Sequence, residues 1–340
     1  MDIILTGLSK SGKSSIKKVV FEKMSPHESV YLETSNSIES ITLDNIGYNS
    51  VIIRDYPFNY RFDNNSTNEL KYLLSAGVII YVIDSQDISD NTFEHFKKVV
   101  SSALQKNPNI KVDVFLHKTD GAYFVQSSNY SQRNQEINST INKIFSEFQL
   151  EVAPTIYKTS IYDHSLFEAF SKIFLKLMPQ NSSFCKLLDN LTLSCRFEKA
   201  YLFDVSNKIY IGIDSSPIDE QLYETCTDMI DVVLDMSSIY GESISNSNNN
   251  NENNTLTNNN NNSNSNSYDE SSYSIIKINS INKAEASKSY LYLRLIDANL
   301  ALICVINEEN FERLHLIDFN IKLFRNAIRE ILSLYKSLDV

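Results

Sequence analysis

The run Gly7-Leu8-Ser9-Lys10-Ser11-Gly12-Lys13-Ser14 has two glycines with four residues between them, followed at once by a lysine and a hydroxyl. This is the G-x-x-x-x-G-K-[ST] spacing that cradles a polyphosphate. Gly7 and Gly12 let the backbone turn its N–H groups inward as an anion-binding nest. A helix starting here points its positive end at the same place. Lys13 is then positioned for β- and γ-phosphates and the Ser14 hydroxyl for Mg²⁺, with Ser9, Lys10, Ser11 and Ser15 completing the cradle. Asp55 ends the apolar run Val51-Ile52-Ile53-Arg54. An acid at that point, one connection after such a loop, is suited to holding the same Mg²⁺.

His117-Lys118-Thr119-Asp120 fits an N/T-K-x-D box with His in its first position. A carboxylate at Asp120 would accept from the N1–H and exocyclic amine of guanine, two donors that adenine does not present together. Such a carboxylate, buried, is left unpaired by the wrong base, so it discriminates strongly. The Lys118 stem would lie along the purine. In Thr159-Ser160-Ile161, the Ile161 backbone N–H would meet the guanine O6 and Ser160 would stand beside it.

Positioning these groups requires strands that end where the loops begin. Residues 3–5 read as a short buried strand, and 15–24 as a helix with Ile16, Val19 and Val20 on one side and Pro26 beyond its end. Residues 29–38 read as polar and irregular. Strands follow at 49–55, 75–84, 111–116 and 155–161. Helices lie between and after them: 90–105, a long one bearing Ile137, Ile141, Ile144, Phe145 and Phe148, and 165–178, capped near Asp163 or Ser165 and stopped by Pro179. Alternating strands and helices predict an α/β fold with a parallel central sheet covered on both faces. Ligands of such sheets sit at the C-terminal ends of the strands.

The chain has 340 residues, 42% of them hydrophobic, enough for one large or two ordinary domains. A net charge of −11 argues against nucleic acid and acidic membrane surfaces as general partners. No apolar run is long enough to span a bilayer, and neither a signal peptide nor a lipid anchor is expected. The cysteines, Cys185, Cys195, Cys226 and Cys304, are too far apart for a metal motif and read as reduced, mostly buried thiols.

Beyond a polar linker at 179–183, the pattern reads helix (184–193), strands (200–205 and 208–213, joined by a turn at Ser206-Asn207), helix (221–238), strands (273–278, 290–296 and 300–306) and a last helix over 311–338. Residues 243–267 are dominated by Asn and Ser. They cannot bury enough surface to fold, which predicts a disordered insert reaching to 272. The last helix carries Leu316, Phe319, Ile321, Phe324, Ile328 and Leu332, an apolar face wider than a small sheet would cover, so this half reads as a dimerisation module. It shows no acid, base or nucleophile constellation.

Several stretches resemble the Rag family of small GTPases, in particular its C/D branch. They are 11–28 (SGKSSIKKVVFEKMSPHE), 80–86 (IYVIDSQ), 117–121 (HKTDG), 159–172 (TSIYDHSLFEAFSK) and 198–219 (EKAYLFDVSNKIYIGIDSSPID). The resemblance implies a P-loop, Ras-like GTPase domain at 1–180 and a roadblock (longin-like) α+β domain at 184–340. It implies GTP or GDP with Mg²⁺ as ligands. Lys13 and Ser14 carry over as phosphate and Mg²⁺ contacts, Asp55 as the Walker-B acid, and Ser35 as the switch hydroxyl where the family has Thr. It further implies a heterodimer with a Rag A/B-like GTPase, attachment through a scaffold complex to the lysosomal or vacuolar surface, and relay of amino-acid status to the TOR kinase complex. The expected location is the cytoplasm and that surface, with the nucleus as a further compartment.

One departure bears on chemistry. Asp55-Tyr56-Pro57-Phe58-Asn59 stands where the family reads D-F-P-G-Q. Phe58 replaces a glycine that permits close backbone approach to a γ-phosphate. Asn59, at the water-positioning place, is one methylene shorter than Gln. Two functions from different classes therefore stand: a slow GTPase switch, and a GTPase-shaped scaffold that binds nucleotide without turning it over. An ATP-using P-loop enzyme is disfavoured by Asp120.

Overall fold

The first apolar run, Asp2–Thr6, forms strand β1, buried along its whole length. The computed structural model describes residues 2–46, 49–60, 67–120, 130–148, 154–217, 220–246, 273–278, 288–297 and 299–338. The chain divides into two compact units, Met1–Met178 and Pro179–Val340.

In the first unit β1 is followed by α1 (Lys13–Phe21), β2 (Glu39–Ile46), β3 (Asn49–Asp55), α2 (Thr67–Ser75), β4 (Ala76–Asp84), α3 (Asp90–Lys106), β5 (Lys111–His117), α4 (Tyr130–Glu147), β6 (Thr155–Thr159) and α5 (Ser165–Leu177). The six strands lie in the order β2-β3-β1-β4-β5-β6. Every pairing is parallel except the edge pair β2–β3. Strand β4 shows why the sheet is covered on both faces. Ile79, Tyr81 and Ile83 face one cluster, with Phe96 of α3 and Ile141 and Phe145 of α4. The alternate residues Val78, Ile80 and Val82 are equally buried and point the other way. On that second side Phe170 of α5 packs edge-on against Phe21 of α1 at 4.9 Å and Phe115 of β5 at 5.3 Å.

The register aligns the strand ends that matter. Leu5 pairs with Asp55, Asp84 with His117, and His117 with Thr159, so the loops that follow open on one edge of the sheet.

The structure adds elements that sequence patterning did not show: β2 and the amphipathic helix α2. The first helix starts at Lys13 rather than 15 and ends at Phe21, with Lys23 at φ 57°. Residues 179–183, read as a linker, already contain the start of the next helix.

The second unit comprises α6 (Asn181–Cys195), β7 (Lys199–Asp204), β8 (Ile209–Ile213), α7 (Glu220–Asn246), β9 (Tyr273–Ile278), β10 (Ser289–Asp297), β11 (Leu300–Asn307) and α8 (Leu314–Leu338). Its five strands form an antiparallel sheet in the order β8-β7-β11-β10-β9. Helix α7 runs to Asn246, into the predicted insert; residues 247–272 of that insert lie outside the described residues. Helix α8 buries Ile317, Ile321, Phe324, Ile328 and Leu332 and leaves Leu316, Phe319 and Leu323 more than half exposed. Cys195, Cys226 and Cys304 are buried and Cys185 half-buried. Among the described residues no helix is long and apolar enough to cross a membrane.

Candidate functional site

The loop after β1 has the backbone its glycines allow. Gly7 sits at φ +149°, and a Cβ there would stand 2.3 Å from the Val82 carbonyl oxygen. Gly12 caps α1 at φ +100°, and Lys10 also takes a positive φ, 62°. The Lys13 ammonium curls back into this loop and donates to the Gly7 carbonyl at 3.0 Å and the Leu8 carbonyl at 2.8 Å. Burial lowers its pKa to about 8, with the Asp55 carboxylate opposing the shift. A buried cation at the mouth of a helix N-terminus is a receptor for phosphate charge.

Asp55, fully buried at the end of β3, accepts from Ser14 Oγ through Oδ2 at 2.5 Å. The Ser35 hydroxyl lies 3.4 Å from that of Ser14. Asp55 Oδ1 is buried with no partner among the described residues. Burial raises the pKa of this carboxyl, against the Ser14 hydrogen bond and the Lys13 charge. Two hydroxyls and a carboxylate with an orphaned oxygen form a hard, all-oxygen donor set that fits Mg²⁺.

His117 and Lys118 begin the opposite wall. His117 is buried, with Nδ1 3.1 Å from Thr159 Oγ1. Its pKa is lowered to about 4, first by burial and then by the Lys118 charge, so the ring is neutral. Lys118 adopts φ 63° and reaches over to donate to the Lys10 carbonyl at 2.8 Å. Asp120 is exposed, contrary to the expectation of a buried carboxylate. Its Oδ1 accepts from Ser160 Oγ at 2.6 Å. Ser160 is itself fully buried and also accepts from the Tyr162 backbone N–H at 3.1 Å, so it braces Asp120.

These groups converge on one cavity of about 460 Å³. Ser9, Lys10, Gly12, Lys13, Ser14, Ser15 and Ser35 line it together with His117, Lys118, Asp120 and Ile161. Gly7, Ser11, Asp55 and Ser160 are not in its lining and stand behind those that are. Asn59 does not line it either; it borders a separate hollow of about 840 Å³ beside Tyr60 and His95. Phe58 lines both. Sequence reasoning did not find Val30, Leu32, Thr34, Gln86 or Tyr162, which close the rim. Gln86, inside the IYVIDSQ stretch, and Tyr162, inside TSIYDHSLFEAFSK, lay in segments already singled out.

A family model described as the Gtr1/RagA G protein conserved region matches residues 2–230. The Homo sapiens Ras-related GTP-binding protein C is 39% identical over 330 residues, covering 97% of this chain and 76% of that one. The Schizosaccharomyces pombe GTP-binding protein gtr2 is 36% identical over 338 residues, covering 97% and 98%. The Saccharomyces cerevisiae GTP-binding protein GTR2 is 32% identical over 343 residues, covering 97% and 92%. The first unit carries the P-loop GTPase fold and the second a roadblock-like α+β fold. The chain therefore belongs to the Gtr1/RagA family of GTP-binding proteins, on its Rag C/D and Gtr2 side.

Proposed function

We propose that this chain is the guanine-nucleotide switch subunit of a Rag-type heterodimer, binding GTP and GDP with Mg²⁺ in the 460 Å³ cavity. The carrying observation is that one cavity joins Lys13 and Ser14, suited to phosphates, with Asp120 and Ile161, suited to guanine. Lys13 would turn from the loop carbonyls to the β- and γ-phosphates. Asp120 would accept from the base N1–H and amine, the Ile161 N–H would donate to O6, and the Lys118 stem would flank the ring. Ser14, Ser35 and Asp55 would hold Mg²⁺, whose charge offsets that of the phosphate oxygens. Calorimetry with GDP, GTP and ATP in Mg²⁺ tests this. Guanine nucleotides should bind at least roughly a hundredfold more tightly than ATP; equal affinities overturn the reading.

Family membership supports a Rag A/B-like GTPase as partner, with a GTPase domain at 1–180 and a dimerisation domain at 184–340. Exposed Leu316, Phe319 and Leu323 on α8 offer an apolar surface in that second half. On this reading the pair relays amino-acid status to the TOR kinase complex, held at the lysosomal or vacuolar surface by a scaffold complex. Co-expression with a Rag A/B-like chain should yield a 1:1 complex, which Phe319→Asp should dissociate; an unaffected complex removes α8 from the interface.

A second reading is favoured by Phe58 and Asn59: a subunit that binds nucleotide and hydrolyses it poorly or not at all. Phe58 takes up room in the nucleotide cavity while Asn59 borders a different hollow. Single-turnover GTP hydrolysis separates the two. Intrinsic turnover on the order of 10⁻⁴ s⁻¹, the range of small GTPases, supports the switch. No turnover, with or without an activating partner, leaves the scaffold.

A further inference from the structure

Asp84 ends β4, and its two carboxylate oxygens serve two different loops. Oδ2 accepts from Lys118 Nζ at 2.5 Å, and Oδ1 accepts from the Gln86 backbone N–H at 2.9 Å. The same Lys118 ammonium donates to the Lys10 carbonyl at 2.8 Å, so Asp84, the base-side loop and the phosphate loop meet at one nitrogen. The Lys118 carbonyl is also held, accepting from Ser85 Oγ at 2.9 Å and Gln86 Nε2 at 3.3 Å. Lys118 needs such support, because at φ 63° it occupies a backbone region that residues with a Cβ enter at a cost. The β4–β5 register sets Asp84 opposite His117, one residue before Lys118. The pair is sheltered, with Asp84 17% and Lys118 34% exposed at their side chains.

We propose that Asp84 is a positioning residue for guanine recognition. It pins the Lys118 ammonium against the phosphate loop, so that the aliphatic stem stands ready as a wall for the purine beside Asp120. A lysine stem left free would lose its rotamer freedom only when the base arrived, and that loss would subtract from affinity. Asp84 does not line the cavity; it acts through Lys118. The inference rests on the guanine-nucleotide reading of the cavity.

Asp84→Asn keeps the shape and an acceptor for the Gln86 N–H but removes the charge that holds Lys118. Two ligands are compared on the full-length chain: N-methylanthraniloyl-GDP, by binding and dissociation rate, and inorganic triphosphate, by calorimetry. GDP affinity should fall roughly tenfold or more, chiefly through faster dissociation, while triphosphate affinity stays within about twofold. Lys118→Met should reproduce the loss, and Asp84→Asn added to it should cost less than about threefold more. Unchanged GDP binding, equal weakening of both ligands, or full additivity with Lys118→Met would each overturn the proposal. If Asp84→Asn does not fold, Lys118→Met cuts the link from its other end, and equal loss of GDP and triphosphate there overturns it too. Wild-type chain that binds no GDP sinks the guanine reading and this inference together; wild-type binding with an unaltered Asp84→Asn variant sinks this inference alone.

Discussion

The His117 ring lies directly against Gly12. A Cβ on Gly12 would stand 2.5 Å from His117 Cδ2 and 3.0 Å from Nε2. The end of β5 thus packs on the turn that begins α1, and both sides of the cavity share one contact. His117 is fixed from behind by Thr159 of the neighbouring strand, so β5, β6 and α1 are braced together.

Gly12→Ala should therefore be costly for two separate reasons. The positive φ alone is a strain, and the new methyl meets a buried ring. Together these should destabilise the fold by roughly 2 kcal/mol or more, read from urea unfolding. Adding His117→Ala should recover the steric part and leave the backbone part. A Gly12→Ala chain as stable as wild type would contradict the packing.

His117 also sets an acid dependence. Its pKa of about 4 lies below the 6.5 of an exposed imidazole, so between these values the unfolded chain binds the extra proton. This contribution to stability is fully present above pH 6.5 and is lost as pH falls towards 4. The slope from this one group is at most about 1.4 kcal/mol per pH unit. His117→Asn should flatten stability over that window when unfolding is measured at a series of pH values; an unchanged slope would assign it to other groups.

Asp120→Asn should move base preference from guanine to xanthine. The carboxylate oxygens would be replaced by an amide that donates where guanine donates and suits the extra xanthine carbonyl. The amide oxygen still accepts from the N1–H, so losing one hydrogen bond to a charged acceptor and setting the amide NH2 against the guanine amine should weaken GDP by at least roughly 10–10²-fold. Competition of labelled GDP by GTP and XTP measures it. Ser160→Ala should give a smaller loss in the same direction, since it frees Asp120 without removing it.

Chelating Mg²⁺ should speed GDP release from the wild-type chain by at least roughly tenfold. Asp55→Ala should abolish that acceleration, because the orphaned oxygen at Asp55 is what the ion would satisfy. A stopped-flow trace that ignores EDTA in the wild type would remove the metal from the site.

Much of this was legible in the sequence, because it is local. The Gly7 to Ser14 spacing, the acid at 55 and the box at 117–120 each specify chemistry within a few residues, and continuous apolar runs marked the buried parallel strands. Strand β2 was missed although Ile41 and Leu43 alternate with Ser40, Thr42 and Asp44; this period-two signal of a half-buried edge strand is only two apolar residues long and weaker than the continuous runs of the inner strands. Helix α2 was passed over because its short apolar stripe of Leu70, Leu73 and Leu74 follows a polar run. The role of Ser160 depended on where Asp120 lies in space, and Val30, Thr34 and Tyr162 reach the cavity by loop paths that local spacing does not encode.

The thiols of this chain all belong to its second unit, and three of the four are sealed inside it. Burial pushes the pKa values of Cys226 and Cys304 upward, which makes them doubly unreactive towards alkylation while the unit stays closed. Cysteine is absent from residues 1–178. Once the half-buried Cys185 has reacted, a thiol-reactive dye is thus a clock for the opening of the C-terminal half, silent about the nucleotide-binding half. Slower labelling on addition of a candidate subunit would time how firmly that subunit clamps it shut.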